Sequence, residues 1–156
     1  MANNDLFISA VLTATPIAIK TGIEKKREYL ANAVANTVKE KVDESKLIVF
    51  FNLLDKYTIW HVMFLKYVKG FSYSNKKINN ISSEIHDWSG ITFRGLLTQK
   101  YPELENDPEY IEKILQDLET DGLIRRNSIR GFLTKDTVFG DRVSALGEDF
   151  LSFISE

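Results

Sequence analysis

The sequence predicts a mainly helical protein: an N-terminal helical region followed by a C-terminal domain that carries a small antiparallel β element. Three observations lead there. Between Asp43 and Lys69, 16 of 27 residues are apolar, a density suited to core helices. Asp107-Pro108-Glu109 supplies an N-cap, a proline at the first helical position and acid in the first turn. Beyond Gly122, short β-favouring stretches alternate with turn residues.

Residues 1–22 read as an arm of uncertain structure, because Pro16 and Gly22 punctuate it. Its apolar stretch, Leu6 to Ile19, is preceded by Asp5 and by no basic residue, and it is too short for a bilayer span. From Ile23 to Val42, Leu30, Val34, Val38 and Val42 recur at i+4 spacing among charged neighbours that include Lys39, Glu40 and Lys41. That spacing predicts an amphipathic helix with a narrow apolar stripe, which needs cover from the chain or from a second copy of it. Asp43, Glu44 and Ser45 start the next helix, and Thr58 caps another that ends before Gly70. Asp55, Lys56, His61 and Lys66 interrupt this block, so it is expected in a core and not in a membrane.

Residues 71–80 form a polar loop. Ser82, Ser83 and Glu84 cap a short helix through Trp88, and a further helix from Ile91 to Tyr101 stops at Pro102. After Asp107 the helical spacing of Tyr110, Ile111, Ile114, Leu115 and Leu118 runs to Gly122. Leu123-Ile124, residues 132–134 and residues 143–146 then predict two or three short strands, and Phe150, Leu151, Phe153 and Ile154 a closing helix.

The order of these elements, with Leu118-Glu119-Thr120-Asp121-Gly122-Leu123-Ile124 before a basic hairpin and residues 145–154 after it, resembles a winged-helix module. The run from Asp43 to Asp55, followed by Thr58, His61-Val62 and Phe64-Leu65, resembles a domain style of bacterial and prophage-associated proteins of uncharacterised activity. The resemblance implies an arm at 1–22, a helical region at 23–70 and a winged-helix-like domain with a β wing at 71–156. It brings no catalytic residues with it.

A chain of 156 residues suits one domain, or one with a helical arm. Without cysteine, it has no disulfide, thiolate zinc site, iron–sulfur cluster or cysteine nucleophile. The formal net charge of −2 hides an asymmetry, because residues 1–78 carry 12 basic against 7 acidic side chains and residues 79–156 carry 8 against 15. Opposed halves can steer association, although solvated helix faces explain most such patterns.

A recognition helix gains affinity by neutralising phosphates, yet residues 109–121 set Glu109, Glu112, Asp117, Glu119 and Asp121 against Lys113 alone. That helix would repel DNA. The wing is different: Arg125, Arg126, Arg130, Lys135 and Arg142 face only Asp136 and Asp141, and these five cations are the candidate contacts to phosphate or to an acidic partner. A wing of this charge can equally pair with the acidic helix beside it.

No catalytic, cofactor or metal site is expected. His61 shares a helix face with Phe64, Leu65 and Val68 and reads as a structural histidine. His86 beside Asp87 has the form of an oriented base, but no nucleophile accompanies it. Glu103, Glu105, Asp107, Glu109 and Glu112 lack the glycine and regular ligand loop of an EF-hand, and helix capping accounts for them better. Trp60 and Tyr67, seven apart, are either an exposed anchor or, as their apolar helix favours, core-edge residues. The expectation is a non-catalytic interaction or assembly component of a bacterial cytoplasm, with a protein partner and self-association through residues 23–42. The alternative is a DNA-binding regulator that grips phosphate through its basic wing.

Overall fold

The computed structural model describes residues 2–39 and 42–156. Among the described residues there are eight helices and no strand: α1 (Ala2–Lys20), α2 (Glu24–Lys39), α3 (Glu44–Lys56), α4 (Ile59–Lys69), α5 (Ile81–Glu84), α6 (Phe93–Lys100), α7 (Pro108–Thr120) and α8 (Ala145–Phe153). Glu40 and Lys41, expected at the end of the second helix, lie outside the described residues. The chain divides into two compact units. One is Met1–Val62 with Asp149–Glu156, and the other is Met63–Glu148.

In the first unit, α1 runs helical from Ala2 to Lys20 through Pro16, where an arm of uncertain structure was expected. A proline inside a helix deprives the carbonyl four residues earlier of its donor. The helix tolerates that loss with one face of it, Ala10, Ala14 and Ile17, buried. Tyr29, Leu30 and Ala33 of α2 are buried as well. The aromatic centre joins α3 to the end of α8: Phe50 lies 5.6 Å from Phe150 and 5.2 Å from Phe153, and Phe51 lies 5.6 Å from Phe153. Two asparagines on successive turns of α2 close the C-terminal end of α8. The Asn32 side-chain amide donates to the Ile154 carbonyl at 3.2 Å, and the buried Asn36 amide donates to the carbonyls of Phe153 at 2.9 Å and Ser155 at 2.7 Å. These are carbonyls that a helix end leaves without partners. His61 is buried, stacks on Tyr57 at 4.4 Å, and accepts the Thr58 backbone N–H at Nδ1 (3.1 Å). It caps the start of α4.

The second unit is built on Phe64, Phe71, Phe93, Leu97, Ile114 and Leu118, all buried. Asp107 caps α7 by accepting the Tyr110 N–H, as its place in the sequence predicts, and the Thr92 hydroxyl, a cap not among those expected from the sequence, caps α6 by accepting the Gly95 N–H. Gly122 ends α7 with φ +78°.

The expected winged-helix fold is overturned by residues 123–144, where no β wing forms. One antiparallel bridge, Ile124 with Val143, closes the segment, backed by Arg125 N–H to Arg142 O at 2.8 Å and Ser144 N–H to Leu123 O at 2.9 Å. Beyond that bridge the backbone bonds elsewhere. Leu133 N–H donates to Ile91 O at 2.7 Å and Gly140 N–H to Phe71 O at 2.8 Å, so the β-favouring stretch pairs with distant loops instead of with a second strand. Asn127 and Gly131, at φ +61° and +84°, turn the chain out of strand geometry. The segment is a long loop folded around one arginine.

Candidate interaction site

That arginine is Arg142. Its Nε donates to Ser128 O at 2.8 Å and one Nη to Val138 O at 2.8 Å, the other Nη reaches Thr137 O, and the guanidinium lies 4.7 Å from the Phe93 ring centre. Burial lowers its pKa. Arg130 is committed too. It bonds Glu119 at 2.9 Å and also pairs with Glu112, and these carboxylates, Glu119 foremost, raise its pKa. Lys113 pairs with Asp117 at 2.5 Å. The acidic face expected on residues 109–121 is therefore partly closed by the loop's own arginine, which is the pairing alternative that the sequence left open.

Of the five candidate cations, Arg125, Arg126 and Lys135 remain exposed, and among the described residues no ion pair engages them. Arg125 borders a cleft of about 500 Å³ with Lys69, Ser72, Ser74, Asp141 and Glu148. Lys69 pairs with Glu148 at 2.5 Å, and the Ser72 and Ser74 hydroxyls bond each other at 2.8 Å. Within the cleft Lys69 and Glu148 are thus paired while Arg125, among the described residues, is not, and no reactive set converges there. Elsewhere His86 is exposed on the loop before α6, while the Asp87 carboxylate accepts the Ser89 backbone N–H at 2.9 Å, a bond that lowers its pKa. Among the described residues no three His, Asp or Glu side chains converge as metal ligands. Trp60 and Tyr67 are both half-buried, at the core edge. Burial pushes the Tyr67 hydroxyl up to about 12.

The feature missed in the sequence is the outward side of α1. Ala10, Ala14 and Ile17 point into the unit, and on the opposite side of the helix Ile8 is 49% exposed, Leu12 69% and Ile19 75%. Thr15 completes the row, so positions 8, 12, 15 and 19 follow the 4-3-4 spacing of a helix-packing seam. Phe7 and Val11 flank it at 37% and 38% exposure. Beside it runs an apolar groove of about 260 Å³ between α1 and α2, lined by Val11, Ala14, Ala18, Leu30, Ala31 and Val34. On α2 the predicted stripe is divided: Leu30 is buried, Val34 half-buried and Val38 exposed. The signal available in the sequence was that Leu6 to Ile19 carries apolar residues on more than one side, beside a polar strip of Ser9 and Thr13, a pattern that one packed face cannot satisfy.

Among the described residues no single helix is long and apolar enough to cross a membrane. No family model, curated protein or solved structure matches the chain.

Proposed function

We propose that the protein is a non-catalytic interaction or assembly component, and that it docks a helical protein partner on the outward face of α1. The observation that carries this reading is the exposed row Ile8, Leu12, Thr15 and Ile19 on a helix whose opposite face is already packed. A contiguous apolar row at seam spacing is costly in water and becomes favourable once covered. In the polar clefts of the second unit Lys69 pairs with Glu148 and Arg130 with Glu112, while Arg125 is left without an ion pair among the described residues. Phosphate binding, the competing reading, retains three of its five cations, Arg125, Arg126 and Lys135. Titration with random duplex at low salt separates the two: salt-sensitive binding that Arg125→Ala with Arg126→Ala weakens at every sequence would favour it.

The direct test is a photo-crosslinking amino acid at position 12 in living cells, compared with the same group at exposed position 76. The reading expects discrete protein adducts at 12 and none at 76. Equal or absent protein adducts at both positions would overturn it.

A further inference from the structure

We infer that the partner of the α1 face is a second copy of this chain, packed antiparallel across Ile8, Leu12, Thr15 and Ile19. This rests on the reading of α1 as a docking face and names its occupant.

A two-fold dimer requires a self-complementary surface, in which residue i meets residue j and j meets i. The row has that property about its own midpoint, between Thr13 and Ala14, where an antiparallel mate sets Ile8 against Ile19 and Leu12 against Thr15. Its 4-3-4 spacing keeps these pairs on one seam along the helix.

Charge favours the same arrangement. Asp5 and Lys20 are the charged residues of α1, one near each end. In the antiparallel mate, Lys20 falls two residues, about 3 Å along the axis, from the position facing Asp5, so opposite charges share each end of the pair. A parallel mate would set like charges and like helix ends together. Lys20 already bonds Asp55 at 2.9 Å, but that pair is exposed, so it can be shared at little cost.

The area is sufficient. Phe7, Ile8, Val11, Leu12 and Ile19 together expose on the order of 500 Å², close to the apolar share of the roughly 800 Å² that each partner gives a standard interface.

Sedimentation velocity of the full chain tests the assignment. A dimer is expected with a Kd of about 10 µM or tighter, and Leu12→Asp should weaken it by about a hundredfold or more. Because Leu12 is exposed, that variant should keep the wild-type circular dichroism and, at concentrations well below the dimer Kd, the wild-type melting curve. The chain has no cysteine, so register can be read from single substitutions: chains carrying Ile8→Cys mixed with chains carrying Ile19→Cys should form the mixed disulfide ahead of either self-pair. A monomer at about 100 µM, or Ile8→Cys self-pairs in the majority, overturns the antiparallel second copy. A monomer that still gives adducts to a different protein from position 12 overturns the second copy and leaves the docking face standing. A monomer that floats with phosphatidylcholine vesicles through Leu12, without protein adducts, removes both.

Discussion

Gly147 is the position where adding one methyl group most directly challenges the closure of the long loop. It sits in the first turns of α8, where Ser144 accepts its N–H at 3.0 Å. A methyl built there falls well inside van der Waals contact of the Leu123 carbonyl oxygen and 2.7 Å from Val143 Cγ1. Both neighbours belong to the closure, since Leu123 O also accepts the Ser144 N–H and Val143 pairs with Ile124. Two effects oppose each other in Gly147→Ala. Helix propensity favours alanine by about 1 kcal/mol. Against it stand overpacking of roughly 1–3 kcal/mol and the weakening of one or two backbone hydrogen bonds at about 1 kcal/mol each. The net expectation is a loss of roughly 1–4 kcal/mol, read as a lower urea midpoint at unchanged slope. Gly122→Ala is the control, because nothing lies near its missing methyl; its cost is only that of φ +78°, about 1 kcal/mol. A Gly147→Ala protein as stable as wild type or more stable would show that propensity wins, and that α8 does not press on the Leu123–Val143 closure.

Other perturbations test other parts of the structure. Asn36→Ala should cost about 1–3 kcal/mol in chemical denaturation, because the carbonyls of Phe153 and Ser155 lose a buried donor. Arg142→Ala should lower stability by about 2 kcal/mol and speed amide exchange across residues 125–142, and Arg142→Lys should not rescue it, since one ammonium cannot replace a fork that reaches Ser128, Thr137 and Val138. Tyr67 carries a pH dependence: with a folded pKa of about 12 against an ordinary 10, its contribution is complete below pH 10 and lost as pH rises from 10 to 12. It is at most about 2.7 kcal/mol, and less with solvent screening of a half-buried ring. Ultraviolet titration of tyrosinate should show a late-ionising group that Tyr67→Phe removes.

What could be read from the sequence was whatever short-range chemistry decides. The Asp107-Pro108 start of α7 and the Gly122 stop lie within a turn of the helix they delimit, and the Asp43 and Thr58 starts bracket α3 and α4 for the same reason. The loop was not legible, because its conformation is set by bonds between residues far apart: Leu133 to Ile91, Gly140 to Phe71, and Arg142 to three carbonyls that a hairpin would have used in a ladder. Its β-favouring side chains describe burial, and Leu133, Val138 and Val143 are indeed buried without forming strands. Of the five candidate cations, the sequence showed the charge of Arg130 and Arg142 but not that Glu112, Glu119 and loop carbonyls occupy them. In α1 the signal was apolar side chains on two faces of one helix, Ala10, Ala14 and Ile17 opposite Ile8, Leu12 and Ile19.

The reading of α1 turns on whether its outward face is covered when the protein is at work. The absence of native cysteine makes this measurable with one substitution, Leu12→Cys, labelled by a membrane-permeant maleimide in living cells and compared with Lys76→Cys on the exposed surface of the other unit. A covered face predicts that position 12 reacts at least about tenfold more slowly than position 76 in cells, and that the two rates converge in dilute purified protein. Equal rates in cells would mean that Leu12 meets water throughout, and would contradict the account.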